Sequence, residues 1–132
     1  EVFYMDFKIT NHQITKLNID FNQAKNTNEM ADMLLSFNIR VPEDKDDHQY
    51  KIIIKVSFNI NDLQLFLMQE DIEIELNKDV KNMDSNKLAE YIKNTCFEDT
   101  YKIFQQSYAQ VLKAINVNYI DLPTFEEIKS RF

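Results

Sequence analysis

The hydrophobic positions change period once along this chain. Phe3, Met5, Phe7 and Ile9 alternate with Tyr4, Asp6 and Lys8, the period of a half-buried strand. Asn11, His12 and Gln13 interrupt the alternation, which resumes through Leu17, Ile19 and Phe21. This predicts one long kinked strand, or two strands with a polar joint. The polar stretch 22–29 reads as a loop. Met33, Leu35, Phe37, Ile39 and Val41 then predict a second strand, stopped by Pro42, which has no ladder donor. An acidic turn over 43–47 leads to the clearest strand, with Tyr50, Ile52, Ile54, Val56, Phe58 and Ile60 on one face. Asn61-Asp62 is a turn pair that tolerates left-handed backbone. A fourth strand starts with Leu63, Leu65 and Leu67 and resumes with Ile72, Ile74 and Leu76 on the opposite parity. That phase change predicts a bulge or bend at Gln69-Glu70-Asp71. Strands two to four form an antiparallel meander in this reading.

After Lys81 the spacing becomes three and four. Leu88, Tyr91, Ile92, Thr95, Phe97, Tyr101, Phe104, Tyr108, Val111, Leu112 and Ile115 predict a long amphipathic helix. It starts near Asp84-Ser85-Asn86 and ends near Asn116, with a bend expected at 94–97. An extended stretch over 117–122 follows. Pro123, then Thr124 and Glu127 at capping-box spacing, open a short last helix. The order β-β-β-β-α-α predicts an α+β fold: a four-stranded antiparallel sheet with one long and one short C-terminal helix. Residues 1–132 are expected to form a single domain.

Composition removes whole classes of function. The 132 residues contain no glycine. The glycine-rich phosphate loop, the G-x-G-x-x-G turn and the G-x-S-x-G elbow all need glycine where the backbone approaches a ligand or turns with positive φ. The net charge of −7 argues against general nucleic-acid or anionic-membrane binding, because both need a cationic face. No apolar run approaches the roughly 18 residues of a membrane span, so no membrane insertion is expected. The lone Cys96 allows no internal disulfide and fits a reducing cytoplasm.

The remaining chemistry is sparse. His12, His48 and Cys96 do not stand at zinc-ligand spacing, and no metal or cofactor is expected. His12 in a polar stretch reads as a solvated side chain. Cys96 lies among core positions of the long helix and reads as structural. The acidic pairs, Glu70-Asp71 among them, read as solvated faces, and no catalytic residue is assigned. What stands out is apolar surface. Leu34, Ile53, Phe66 and Met68 fall on the otherwise polar outer face of the sheet. Either the short C-terminal helix, with Phe125, Ile128 and Phe132, covers them, or subunits or extended clients bind there.

Four segments together resemble the SecB export-chaperone family. FKITNHQITKLNIDF (7–21) resembles its first strand, ending in an I-x-F-like step. YKIIIKVSFNI (50–60) resembles its third strand, and 88–92 with 97–115 resemble the long helix with its aromatic entry. AINVNYIDLPTF (114–125) resembles the small-residue, L-x-L-x-P, then aromatic passage into the last helix. The sequence departs from the family at Gln69-Glu70-Asp71, where SecB proteins usually carry glycine.

The resemblance implies a bacterial, ATP-independent holdase that binds unfolded or extended polypeptide clients, for export or for one dedicated partner such as an antitoxin. It implies client-binding residues Phe21, Met30, Met33 and Leu34 in the crossover region, and Phe125, Ile128 and Phe132 in the last helix. It also implies a homo-oligomer, dimer or tetramer, with contacts through the first strand (Phe7, Ile9) and the long helix (Tyr101, Tyr108). A second reading keeps the same surfaces for self-association or one fixed partner, as a structural or assembly protein without client activity.

Overall fold

A computed structural model describes residues 6–21, 31–44, 47–77, 80, 82–117 and 120–132. Four strands, β1 (Phe7–Ile19), β2 (Asp32–Arg40), β3 (Gln49–Ile60) and β4 (Leu63–Leu76), form one antiparallel sheet in the order β1-β4-β3-β2. Helix α1 (Ser85–Ala114) lies across one face of it, and α2 (Phe125–Ile128) continues into a short 3₁₀ turn. This is the expected α+β arrangement.

Of the two readings of the first strand, the uninterrupted one is observed. Strand β1 runs unbroken, but its pairing with β4 shifts between Ile9 and Asn11 and again between Ile14 and Lys16. Each shift inserts one residue, Thr10 and then Thr15. The side chains aligned with the inner face of β4 are therefore Phe7, Ile9, His12, Ile14, Leu17 and Ile19. The apparent polar joint is two bulges, each of which flips parity.

The predicted phase change in β4 is placed elsewhere. Pairing of Phe58 with Phe66 and of Asn59 with Gln64 leaves Leu65 as the extra residue. From Phe66 to Leu76 the even positions then face the helix without interruption. Phe66 and Met68 pair with Phe58 and Val56 and are fully buried, not on the outer face. Glu70 falls in the same row, between Ile14 and Ile54, and is only 1% exposed.

Helix α1 begins on Asp84, whose carboxylate accepts from the Lys87 amide at 2.8 Å, and runs as one helix of 30 residues. It ends without glycine. Asn116 takes the left-handed conformation (φ 61°), with the amides of Asn116 and Val117 bonded to the carbonyls of Lys113 and Leu112. That is a Schellman closure with asparagine in the position glycine usually fills. Asn61 (φ 54°) does the same work in the two-residue turn between β3 and β4.

The C-terminal segment packs on the inner side. The Phe132 ring stands edge-on to Phe37 of β2 at 4.7 Å and to Phe97 of α1 at 5.0 Å. It therefore does not cover the outer face, where Leu34 remains 64% exposed.

Candidate functional site

Two tyrosines of α1 hold the chain that leads to α2. Tyr101 Oη donates to the Pro123 carbonyl at 2.6 Å, and Tyr108 Oη donates to the Ile120 carbonyl at 2.9 Å. Extended backbone has no internal partners for its carbonyls, so these bonds fix it against the helix. Thr124 then caps α2. Its hydroxyl accepts from the Glu127 amide, and its own amide donates to the Glu127 carboxylate. Ile128 is buried beneath this turn.

The stapled segment has a cleft on each side. One, of about 410 Å³, lies toward β2 and is lined by Met33, Leu35, Leu122, Pro123, Glu127 and Arg131. The other, of about 640 Å³, lies along the C-terminal half of α1, with Tyr108, Leu112, Val117 and Ile120 among its lining. Asp121 and Leu122 line both. The larger cleft is mainly apolar, while the smaller one sets Asp121, Glu127 and Arg131 beside its apolar side chains; together they suit an extended peptide, whose side chains need pockets and whose backbone needs polar partners.

The predicted client-binding residues are dispersed. Met33 lines the smaller cleft. Phe125 and Phe132 belong to an aromatic group with Phe37, Phe97 and Tyr101, and Phe132 is 40% exposed. Phe21 is half-buried and stacks on Phe66 at 6.1 Å. Leu34 lies on the opposite face of the sheet, Ile128 is in the core, and Met30 lies outside the described residues. The proposed oligomer contacts all have internal partners: Phe7, Tyr101 and Tyr108 are buried, and Ile9 packs against the core. The sequence assigns Leu35 only to the second strand and Leu122 only to the extended passage before the last helix, and it marks Asp121 and Arg131 as no site at all. The signal was there for Leu122-Pro123, an extended pair immediately before a capping box.

Polar groups also converge where none were expected to. Glu70 Oε2 accepts from Ser107 Oγ at 2.8 Å and from His12 Nδ1 at 3.0 Å. His12 is exposed, as expected of a solvated side chain, yet it bonds Glu70, and Glu70 itself is buried rather than part of a solvated pair. The sheet register sets both on the inner face, under α1. The trio is not a nucleophile relay. The serine donates to the carboxylate rather than to the histidine, so no base is placed to take its proton.

Cys96 is fully buried, and burial, with Asp99 and Asp6 adding to it, pushes its thiol from 9.0 up to about 12. Burial, followed by Glu127, pushes Tyr101 from 10.0 up to about 12, and Tyr108 is raised by burial and then Asp121. Each group is neutral when protonated, and the folded state holds the proton more tightly than the unfolded chain. Their contribution to stability is therefore complete below the unfolded value and is lost as pH rises through roughly 9 to 12. Urea unfolding midpoints should be flat near neutrality and fall over that window. Cys96 should react with a thiol reagent only on unfolding. Rapid labelling of the native protein would contradict its burial.

The sheet order, the single long helix and the stapled segment define a SecB-like fold. The solved Mycobacterium tuberculosis Rv1957, a SecB-like chaperone in complex with a ChAD peptide from the Rv1956 HigA1 antitoxin, matches with a TM-score of 0.60 at 8% identity. The match covers 89% of this chain and 86% of that one. No protein-family model and no curated protein matches the sequence. Among the described residues, no helix is long and apolar enough to cross a membrane.

Proposed function

We propose that this chain is a chaperone-like protein that holds extended polypeptide segments in the two clefts beside residues 120–123. The observation that carries the reading is the stapled segment itself. It presents Leu122 to clefts on both sides, with β2 bordering one of them. The peptide-bound state of Rv1957, on the same fold, supports it. Binding by apolar pockets and backbone pairing needs no nucleotide, consistent with a holdase.

The test is light scattering of a chemically denatured, aggregation-prone protein diluted into the purified chain. Suppression is expected at several-fold molar excess. Leu122→Asp, on a half-buried position, should weaken suppression several-fold while far-UV circular dichroism stays native. Absence of suppression by the unsubstituted chain would defeat the holdase reading.

A second reading is favoured by the outer face. Leu34, 64% exposed, stands in one cross-strand row with Ser57 and half-buried Leu67, and no described element covers that row. Self-association or one fixed partner would cover it. Light scattering coupled to size exclusion decides this: a dimer or tetramer is expected, and a monomer at every concentration would remove it.

A further inference from the structure

The Glu70 carboxylate is half used. Its Oε2 accepts two hydrogen bonds, while Oε1 is buried with no hydrogen-bond partner among the described residues. A carboxylate oxygen withdrawn from water and left without a donor is among the least favourable arrangements in a protein interior. Glu70 lines a cleft of about 400 Å³ between β1 and α1, remote in the sheet from the β2 cleft. The remaining lining includes the apolar side chains of Ile14 and Val111 and the amides of Gln13 and Gln110, and no lysine or arginine. Of the two donors on Oε2, Ser107 is buried, but His12 is about half exposed. The histidine thus stands at the solvent edge of the cluster.

We propose that this cleft is a subsite for a cationic side chain, lysine or arginine, of a bound polypeptide. The apolar lining fits the methylene stem of such a side chain. The spare carboxylate oxygen takes the charged head, and the Oε1 atoms of the flanking Gln13 and Gln110 accept hydrogen bonds from its outer N–H groups. An anion would face Glu70 directly, and a neutral donor would supply a hydrogen bond without the opposite charge that makes a cation's bond to a carboxylate stronger. The chain's net charge of −7 favours the same class of ligand. This deepens the client-binding reading and rests on it for the polypeptide, though not for the cation.

The experiment uses a capped pentapeptide, Ala-Ala-Arg-Ala-Ala, its citrulline counterpart, and n-butylguanidinium, each titrated into the labelled full chain. Amide shifts at Gln13, Ser107 and Gln110 are followed by NMR. The arginine peptide and n-butylguanidinium should give saturable shifts there, and the citrulline peptide none. Glu70→Gln should weaken binding at least about tenfold. Equal shifts from the citrulline peptide, or unchanged affinity in Glu70→Gln, would overturn the proposal. Spermidine binding more tightly than the arginine peptide would overturn the assignment to a polypeptide. If Glu70→Gln does not fold, Ala114→Trp, on an exposed helix position lining the cleft, serves instead. It should abolish the shifts, and retained binding would again overturn the site. The scattering assay is independent: its failure removes the holdase, whereas a guanidinium shift lost on Glu70→Gln would still stand.

Discussion

Phe66→Ala should lower the unfolding free energy by about 3–5 kcal/mol, seen as a fall in the guanidinium chloride midpoint at unchanged slope. Phe66 is fully buried, with ring centroids 5.3 Å from Phe58, 5.8 Å from Tyr108 and 6.1 Å from Phe21. It therefore links β3, β4, the helix and the end of β1. Removing the ring takes away its transfer free energy and leaves a cavity walled by three other rings, which a sheet pinned on both sides cannot close. The size of the loss is diagnostic. On the solvent face of β4 the same substitution would move stability by only about 0.5 kcal/mol. A loss below about 1 kcal/mol would mean that the register through Leu65 is wrong, and with it the inward position of Glu70.

Ile128→Ala should cost about 2–5 kcal/mol, and the loss should fall on the C-terminal segment before the sheet. Helix α2 has four residues, far too few to persist without tertiary support. Ile128 is 1% exposed and is the only buried residue of α2. Other attachments are the Tyr101 bond to Pro123, the Tyr108 bond to Ile120, the Thr124 capping box and the contacts of Phe125 and Phe132. Hydrogen exchange should show amides 125–132 losing protection while those of β3 and β4 keep theirs. The proposed client holding should fall in the same variant, because both clefts depend on where the stapled segment sits. Unchanged protection at the C-terminus would mean that the aromatic contacts suffice without Ile128.

Much of the architecture was legible because it is locally encoded. Pro42 ends the second strand, Asn61-Asp62 makes the two-residue hairpin, Asp84 caps α1, and Thr124 with Glu127 opens α2. Each depends on residues within a few positions of one another. What misled was parity. One extra residue at Leu65, set by pairing with β3, decides whether Phe66, Met68 and Glu70 face inward. A run of leucines on odd positions hides that decision. The Glu70 cluster was illegible for a different reason. His12 and Ser107 lie 58 and 37 residues away from it, and nothing local marks either as a partner. The clefts share that difficulty. Met33 and Leu35 share one strand face in the sequence, but the wall they make exists only once residues 120–123 are tied down.

The two insertions in β1 bear on how copies of this protein behave when crowded together. Strand β1 is a sheet border, pairing only with β4 among the described strands. A long regular border is a template on which identical chains can stack into ordered fibrils. Here an incoming straight strand meets a ladder that loses step at Thr10 and again at Thr15, with Lys8 and Lys16 exposed along it. The regular cross-β spacing is interrupted twice along its thirteen residues. The two threonines thus set this border strand out of step with any straight copy laid against it.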